Sequence, residues 1–216
     1  MKTDISVVER VFSANDQAAL ANRALFDRHG IAVVNFMASP GAGKTSLVVR
    51  SIEGLRDHRI AVIEGDLAAR IDADRVAAAG APAVQINTGG GCHLDAPMVA
   101  AVLDQLPLAE LDLLLIENVG NLVCPINFSL GEHRRVLVAS VPEGDDKPLK
   151  YPGSFLDMDA VVLNKIDLLP YVDFDPQAFA RGVRAVNATA PIFALSCRSG
   201  EGIAAWLAWL ASYFGA

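Results

Sequence analysis

The sequence predicts an α/β fold in three layers, with a mostly parallel β-sheet between two sets of helices. Two observations carry this. Short, continuously apolar runs alternate with helix-like stretches along the chain, and apolar runs of that kind suit strands buried on both faces. The first run also leads straight into a glycine-rich turn and a helix. That places a ligand-binding turn at the carboxyl end of a strand, where open parallel sheets bind their ligands.

The elements follow in order. Ser13-Ala14-Asn15-Asp16 reads as a capping box, opening an amphipathic helix over 15–29 that Gly30 closes. Residues 31–37, rich in Val and Ile, are a buried strand. Further strands are expected at 60–64, 83–86, 111–116, 136–141, 160–164 and 191–195. Helices are expected at 44–55, 68–79, 96–106, 176–186 and 201–213. Asp175 before Pro176 is a good N-cap with proline in the first turn. The segment 87–97, with Gly89-Gly90-Gly91-Cys92-His93, is the one stretch dense in special residues.

Length and composition bound the function. The 216 residues suit a single domain, expected over 1–216 with residues 1–30 as an N-terminal helix. A 52% hydrophobic and 20% charged composition excludes disorder. The net charge of -7, with no basic tail or block, argues against nucleic acid and anionic membranes as partners. No apolar run approaches the roughly 20 residues of a membrane span, and Met1–Ile5 lacks a signal peptide's apolar stretch. A cytoplasmic location is the expectation. Three cysteines cannot all pair internally and read as thiols.

The turn after the first strand is Ala38-Ser39-Pro40-Gly41-Ala42-Gly43-Lys44-Thr45. Apart from Ala38 in place of the first glycine, it is a P-loop. Gly41 and Gly43 allow backbone N–H groups, with Ala42 between them, to turn toward phosphate oxygens. The helix beginning near Lys44 and Ser46 directs its positive end at the same charge. Lys44 neutralises the β- and γ-phosphates, and the Thr45 hydroxyl is a ligand for Mg²⁺.

Strand 160–164 ends in Asn164-Lys165-Ile166-Asp167, the N-K-x-D pattern that reads guanine. An Asp167 carboxylate accepts from guanine N1–H and the 2-amino group. Adenine offers neither donor there, so the carboxylate would be left desolvated and unpaired. The stem of Lys165 can cover the purine face. Ser196-Cys197-Arg198 follows another strand and reads as the loop that closes over the base. Asp66 in Glu64-Gly65-Asp66, Asp72, and Glu117 in the Walker B position are expected near the phosphates, to hold Mg²⁺ or orient water. Lys147 or Lys150 is a candidate cation acting across a dimer. Cys92 and His93 on one loop and Cys124 on another would, if the loops meet, offer thiolate and imidazole ligands suited to Zn²⁺ or Ni²⁺.

Taken together, these motifs resemble the HypB family of GTPases, accessory to nickel insertion into nickel–iron hydrogenase. The resemblance rests on 35–45, Glu64-Gly65-Asp66, Gly90-Gly91-Cys92-His93, the run from Glu117 to Pro125, the run from Asp146 to Pro152, and Asn164 to Asp167. It implies a SIMIBI-class P-loop NTPase fold, binding of GTP and GDP with hydrolysis, and a homodimer formed on GTP binding. It also implies a nickel or zinc site at Cys92, His93 and Cys124, a nickel-chaperone partner and a hydrogenase large-subunit precursor as client. Residues 1–30 hold no cysteine and only His29, so the separate metal-storage segment of many members is not expected. A urease-type relative of the UreG kind would carry Cys-Pro-His where Cys92-His93 stands. A nucleotide-gated metal carrier with negligible hydrolysis is the other alternative. A MinD-type ATPase would want a lysine where Ser39 stands.

Overall fold

The computed structural model describes residues 7–66 and 75–214. Helix α1 (Val7–His29) leads into β1 (Ala32–Ala38), then α2 (Lys44–Gly54), β2 (Ile60–Asp66) and β3 (Ala83–Asn87). A short helix α3 (Ala96–Ala100) precedes β4 (Leu113–Glu117) and β5 (Arg134–Ser140). Two further short helices follow, α4 (Lys147–Lys150) and α5 (Pro152–Leu156). The chain ends β6 (Ala160–Asn164), α6 (Pro176–Val186), β7 (Ile192–Ala194) and α7 (Ile203–Ala211).

The strands form one seven-stranded sheet in the order β3-β2-β4-β1-β5-β6-β7. Every pairing is parallel. Parallel strands need crossovers, and these put helices on both faces. On one face α2 and α7 cover Val34, Phe36, Val62 and Val138, with Trp206 fully buried among them. On the other face, Phe26 of α1 and Val99 of α3 pack on Val33, Ile63 and Ile116. Phe155 of α5 and Phe179 of α6 pack there on Leu137 and Val161. β1 alternates accordingly, Val34 and Phe36 to one face, Val33 and Met37 to the other, as the period of two requires. The expected three-layer architecture is the one observed.

Besides shifts of one or two residues at other element ends, such as the strand expected at 136–141 that runs Arg134–Ser140 and the helix expected at 201–213 that runs Ile203–Ala211, four details differ from the sequence reading. First, α1 runs unbroken from Val7, so the capping box at Ser13–Asp16 does not open the helix. The reason lies across the fold: the Asn15 amide donates to Ser129 O at 3.0 Å and its Oδ1 accepts from the Ala96 N–H at 2.9 Å. A buried asparagine pinning two loops looks like a cap when only its neighbours are known. Second, the helix expected over 96–106 stops at Ala100 and gives way to 3₁₀ turns at Leu103–Gln105 and Leu108–Glu110. Third, α4 and α5 stand in the run 147–156, where no helix was expected. Pro148 and Pro152 sit in their first turns, where a missing N–H costs nothing. Fourth, the strand expected at 111–116 runs instead from Leu113 to Glu117. Of the helix expected over 68–79, residues 75–78 are helical and the portion before 75 lies outside the described residues.

Candidate nucleotide and metal site

Because all seven strands run one way, their carboxyl ends share one edge of the sheet. Ala38, Glu117, Ser140, Asn164 and Asp66 all end strands there. The loops that follow them carry the expected site.

The P-loop leaves β1 in extended conformation. Ala38 is still strand, paired with Val138 of β5 and bridged to Asn121, so alanine is as good there as glycine. Gly41 and Gly43 take the positive φ values of 76° and 103° that L side chains avoid. A Cβ on Gly43 would also collide with the Asn164 amide. Lys44 and Thr45 open α2 and are buried. A cleft of about 320 Å³ opens over them, walled by Gly41, Gly43, Lys44, Ser46, Gly65, Arg75, Glu117, Asn118 and Gly120. The Thr45 hydroxyl donates to Glu117 Oε1 at 2.8 Å. A hydroxyl and a buried carboxylate side by side at a phosphate-binding turn are hard oxygen donors, the kind that suits Mg²⁺. Asp66 ends β2; Asp72 lies outside the described residues.

The base-reading end is wired to the phosphate end by Asn164. Its amide donates to Ala42 O at 2.9 Å, and its Oδ1 accepts from the Lys165 and Cys197 N–H groups at 2.8 and 3.2 Å. The Lys165 ammonium reaches back to Gly41 O at 2.6 Å, and its backbone takes φ 62°, the only positive φ outside glycine among the described residues. Ser196 donates its hydroxyl to Asp167 Oδ1 at 2.6 Å. Loops 38–45, 164–167 and 196–198, scattered in sequence, thus form one continuous cradle. Burial pushes the Cys197 thiol up to about 11, so without a metal this cysteine stays protonated at neutral pH.

Sequence reading missed Arg50, which reaches from α2 to the Cys197 and Arg198 carbonyls. An arginine on the polar side of a helix carries no signal by itself. It also missed Asn118, whose Oδ1 accepts from the Leu94 N–H at 3.0 Å and so ties the end of β4 to the Cys92–His93 loop. Lys147 lies over its own P-loop, its ammonium 3.3 Å from Ser39 Oγ and 3.4 Å from Glu143. Lys150 is exposed and paired with Asp146 at 2.6 Å.

The cysteine loops do meet. The Cys124 thiol lies near enough to Cys92 to be the main cause of the raised Cys92 pKa. Cys92 Sγ is 3.5 Å from His93 Nδ1. The imidazole stacks on Phe128 with centroids 3.9 Å apart, and burial lowers its pKa, keeping it in the neutral form that binds metals. Cys92 is exposed and Cys124 partly so. Among the described residues no group of three His, Cys, Asp or Glu side chains is gathered tightly enough to hold an ion. Two sulfurs and an adjoining imidazole are nevertheless donors that suit Ni²⁺ or Zn²⁺.

The comparisons with known proteins agree in direction. Residues 32–194 match the family model described as CobW/HypB/UreG, nucleotide-binding domain. The chain is 51% identical to the hydrogenase maturation factor HypB of Azotobacter vinelandii over 207 residues, 95% of this chain and 68% of that one. Among solved structures it superposes on HypB from Helicobacter pylori in complex with nickel with a TM-score of 0.86 and 36% identity. That match covers 94% of this chain and 98% of the other. HypB from Archaeoglobus fulgidus gives 0.87 and 38%, covering 93% and 98%.

Proposed function

Since the chain belongs to the HypB family of hydrogenase maturation factors, within the CobW/HypB/UreG nucleotide-binding domains, we propose that it is a guanine-specific GTPase. We assign its hydrolysis to nickel delivery during hydrogenase maturation. The observation that carries the guanine reading is the Asn164 brace, which joins the P-loop to the N-K-x-D strand end and the 196–198 loop. A single nucleotide spans such a cradle, phosphates at one end and base at the other.

The roles follow from position. Backbone N–H groups of 41–45 and the start of α2 hold the phosphates. Lys44 balances charge that grows on the β–γ bridge as it breaks. Thr45, Glu117 and Asp66 would hold Mg²⁺, which supplies further neutralisation of the phosphate oxygens when bound. Asp66 or Asp72 orients the attacking water. Lys147, on the P-loop face, adds a cation, either to its own nucleotide or across a pair of chains. Phosphoryl transfer of this kind needs positioning and charge more than covalent help.

Nickel is the cargo. Cys92, His93 and Cys124 are its assigned ligands, with Zn²⁺ an alternative occupant. The Asn118–Leu94 hydrogen bond lies between this loop and the phosphate cleft. We assign GTP-dependent pairing of two chains to this face, supported by the exposed Val123, Leu149 and Tyr151 around Cys124 and Lys147. A nickel chaperone and a hydrogenase large-subunit precursor are the assigned partners, in the cytoplasm. No helix among the described residues is long and apolar enough to cross a membrane.

Calorimetry with GTP, GDP and ATP tests the reading. GTP and GDP bind with Mg²⁺ present, and ATP binds at least roughly a hundredfold more weakly, as unpaired buried polar groups dictate. Equal affinity for GTP and ATP overturns it.

A further inference from the structure

The two cysteine loops approach each other at two points. Cys92 lies near Cys124. One residue further along, the His93 imidazole stacks on the Phe128 ring, with centroids 3.9 Å and planes 24° apart. Cys124 opens a short 3₁₀ turn, Cys124–Asn127, that ends at Phe128, whose N–H donates to Pro125 O at 3.2 Å. One loop thus brings a thiol and an imidazole, and the other a thiol and, one turn later, an aromatic ring.

Phe128 is itself backed from a third element. Phe12 of α1 packs on it with ring centroids 5.3 Å apart. The same face of α1 ties down both loops just beyond their ligands. Asn15 bonds the Ala96 N–H and Ser129 O, and Asn22 donates to Ala96 O and Leu130 O at 3.0 Å each. Phe12, Asn15 and Asn22 share that face because they fall at i, i+3 and i+10. Phe128 is therefore held by α1 and by its own turn. His93 has less support from its backbone. Gly89, Gly90 and Gly91 precede Cys92, the first two at φ 61° and 97°, and glycine has the most backbone freedom to lose. Among the described residues Phe128 is the one ring in contact with the imidazole. A ligand side chain that must be ordered as the ion arrives loses affinity to that ordering, and one already held does not.

We propose that Phe128 is a positioning residue for the nickel site. Its ring, buttressed by Phe12, holds the His93 imidazole beside Cys92 before metal arrives, without itself touching the ion. The proposal rests on the assignment of Cys92, His93 and Cys124 as nickel ligands.

A double-mutant cycle tests it. Affinity for Ni²⁺ is measured on the full chain by competition with a chromophoric chelator. The proteins are the wild type, Phe128→Ala, Phe128→Tyr, His93→Ala and the double variant His93→Ala/Phe128→Ala. Phe128→Ala binds nickel roughly three- to tenfold more weakly than the wild type, the size of one aromatic pair. Phe128→Tyr keeps the ring face and stays within about twofold of the wild type, a change smaller than such a pair. In the His93→Ala background, removing Phe128 changes affinity by less than about twofold, because the ring has nothing left to hold. Circular dichroism and an unchanged affinity for GTP, measured without nickel, check that each variant is folded. The proposal is overturned if a folded Phe128→Ala binds nickel as the wild type does. It is also overturned if the loss is as large in the His93→Ala background, which is what loosening of both loops would produce. Nickel binding that His93→Ala leaves unchanged would instead overturn the ligand assignment beneath it.

Discussion

Asn164 and Cys197 show how far a residue's role departs from its type. Asn164 is buried at 2% exposure and spends both ends of its amide on three backbone groups, so it acts as a bracket more than as a contact to base. Cys197, which composition alone leaves as a candidate ligand, is a buried thiol raised to about 11. Only the thiolate reacts with alkylating agents, and at pH 8 a thiol of that kind is about one part in a thousand ionised. Iodoacetamide at pH 8 should therefore label exposed Cys92 in the native protein while Cys197 stays unmodified until denaturant is added. Peptide mass spectrometry reads this directly, and equal labelling of the two would mean that the 196–198 loop is open. The N-K-x-D and P-loop side chains were legible because each is fixed by the chemistry of its ligand. Arg50 and Asn118 were not, because their partners are backbone groups 147 and 24 residues away.

At the level of elements, the site depends on β6 and the P-loop being locked together. Replacing Asn164 by Ala leaves Ala42 O and the N–H groups of Lys165 and Cys197 without this partner in a buried place. The cost of that is about 2–4 kcal/mol of stability. GTP affinity should fall with it, roughly a hundredfold, since the loops at both ends of the nucleotide lose their shared support. Urea unfolding and calorimetry on the same preparation check both, and a change below about 0.5 kcal/mol would mean that the brace is incidental. Strands were the most legible elements, because a strand buried on both faces must be apolar at every position and short. Helix ends were the least legible. Asn15 mimics a cap, and Pro148 and Pro152 mimic a loop, since a proline in the first turn of a helix and one in a coil look alike in sequence.

For the whole molecule, the arrangement places the P-loop and the cysteine loops on one edge of the sheet. Gly65, which follows Glu64 at the end of β2, is so close to Leu94 that a Cβ there would lie 2.6 Å from its side chain. Leu94 in turn follows His93 and is held by Asn118. Nucleotide cleft and cysteine loops are neighbours through two residues. Nickel titrations of GDP- and GTP-loaded protein, followed by absorbance of the metal–thiolate bands and by sedimentation, should show binding that disappears in Cys92→Ala and in Cys124→Ala. Metal retained in both variants would remove the assigned site. The sequence by itself determined the layered α/β class, the phosphate turn, the base-reading tetrapeptide and the cysteines worth watching. Each is written in contiguous residues whose chemistry permits few alternatives. Only the tertiary structure decided that Cys92 and Cys124 come near each other, that Lys147 lies over its own P-loop, that Arg50 joins α2 to the 196–198 loop, and that Asn118 joins the end of β4 to the Cys92–His93 loop. Such contacts form between segments far apart along the chain, and their partners are backbone groups that every residue shares, so no local pattern could announce them.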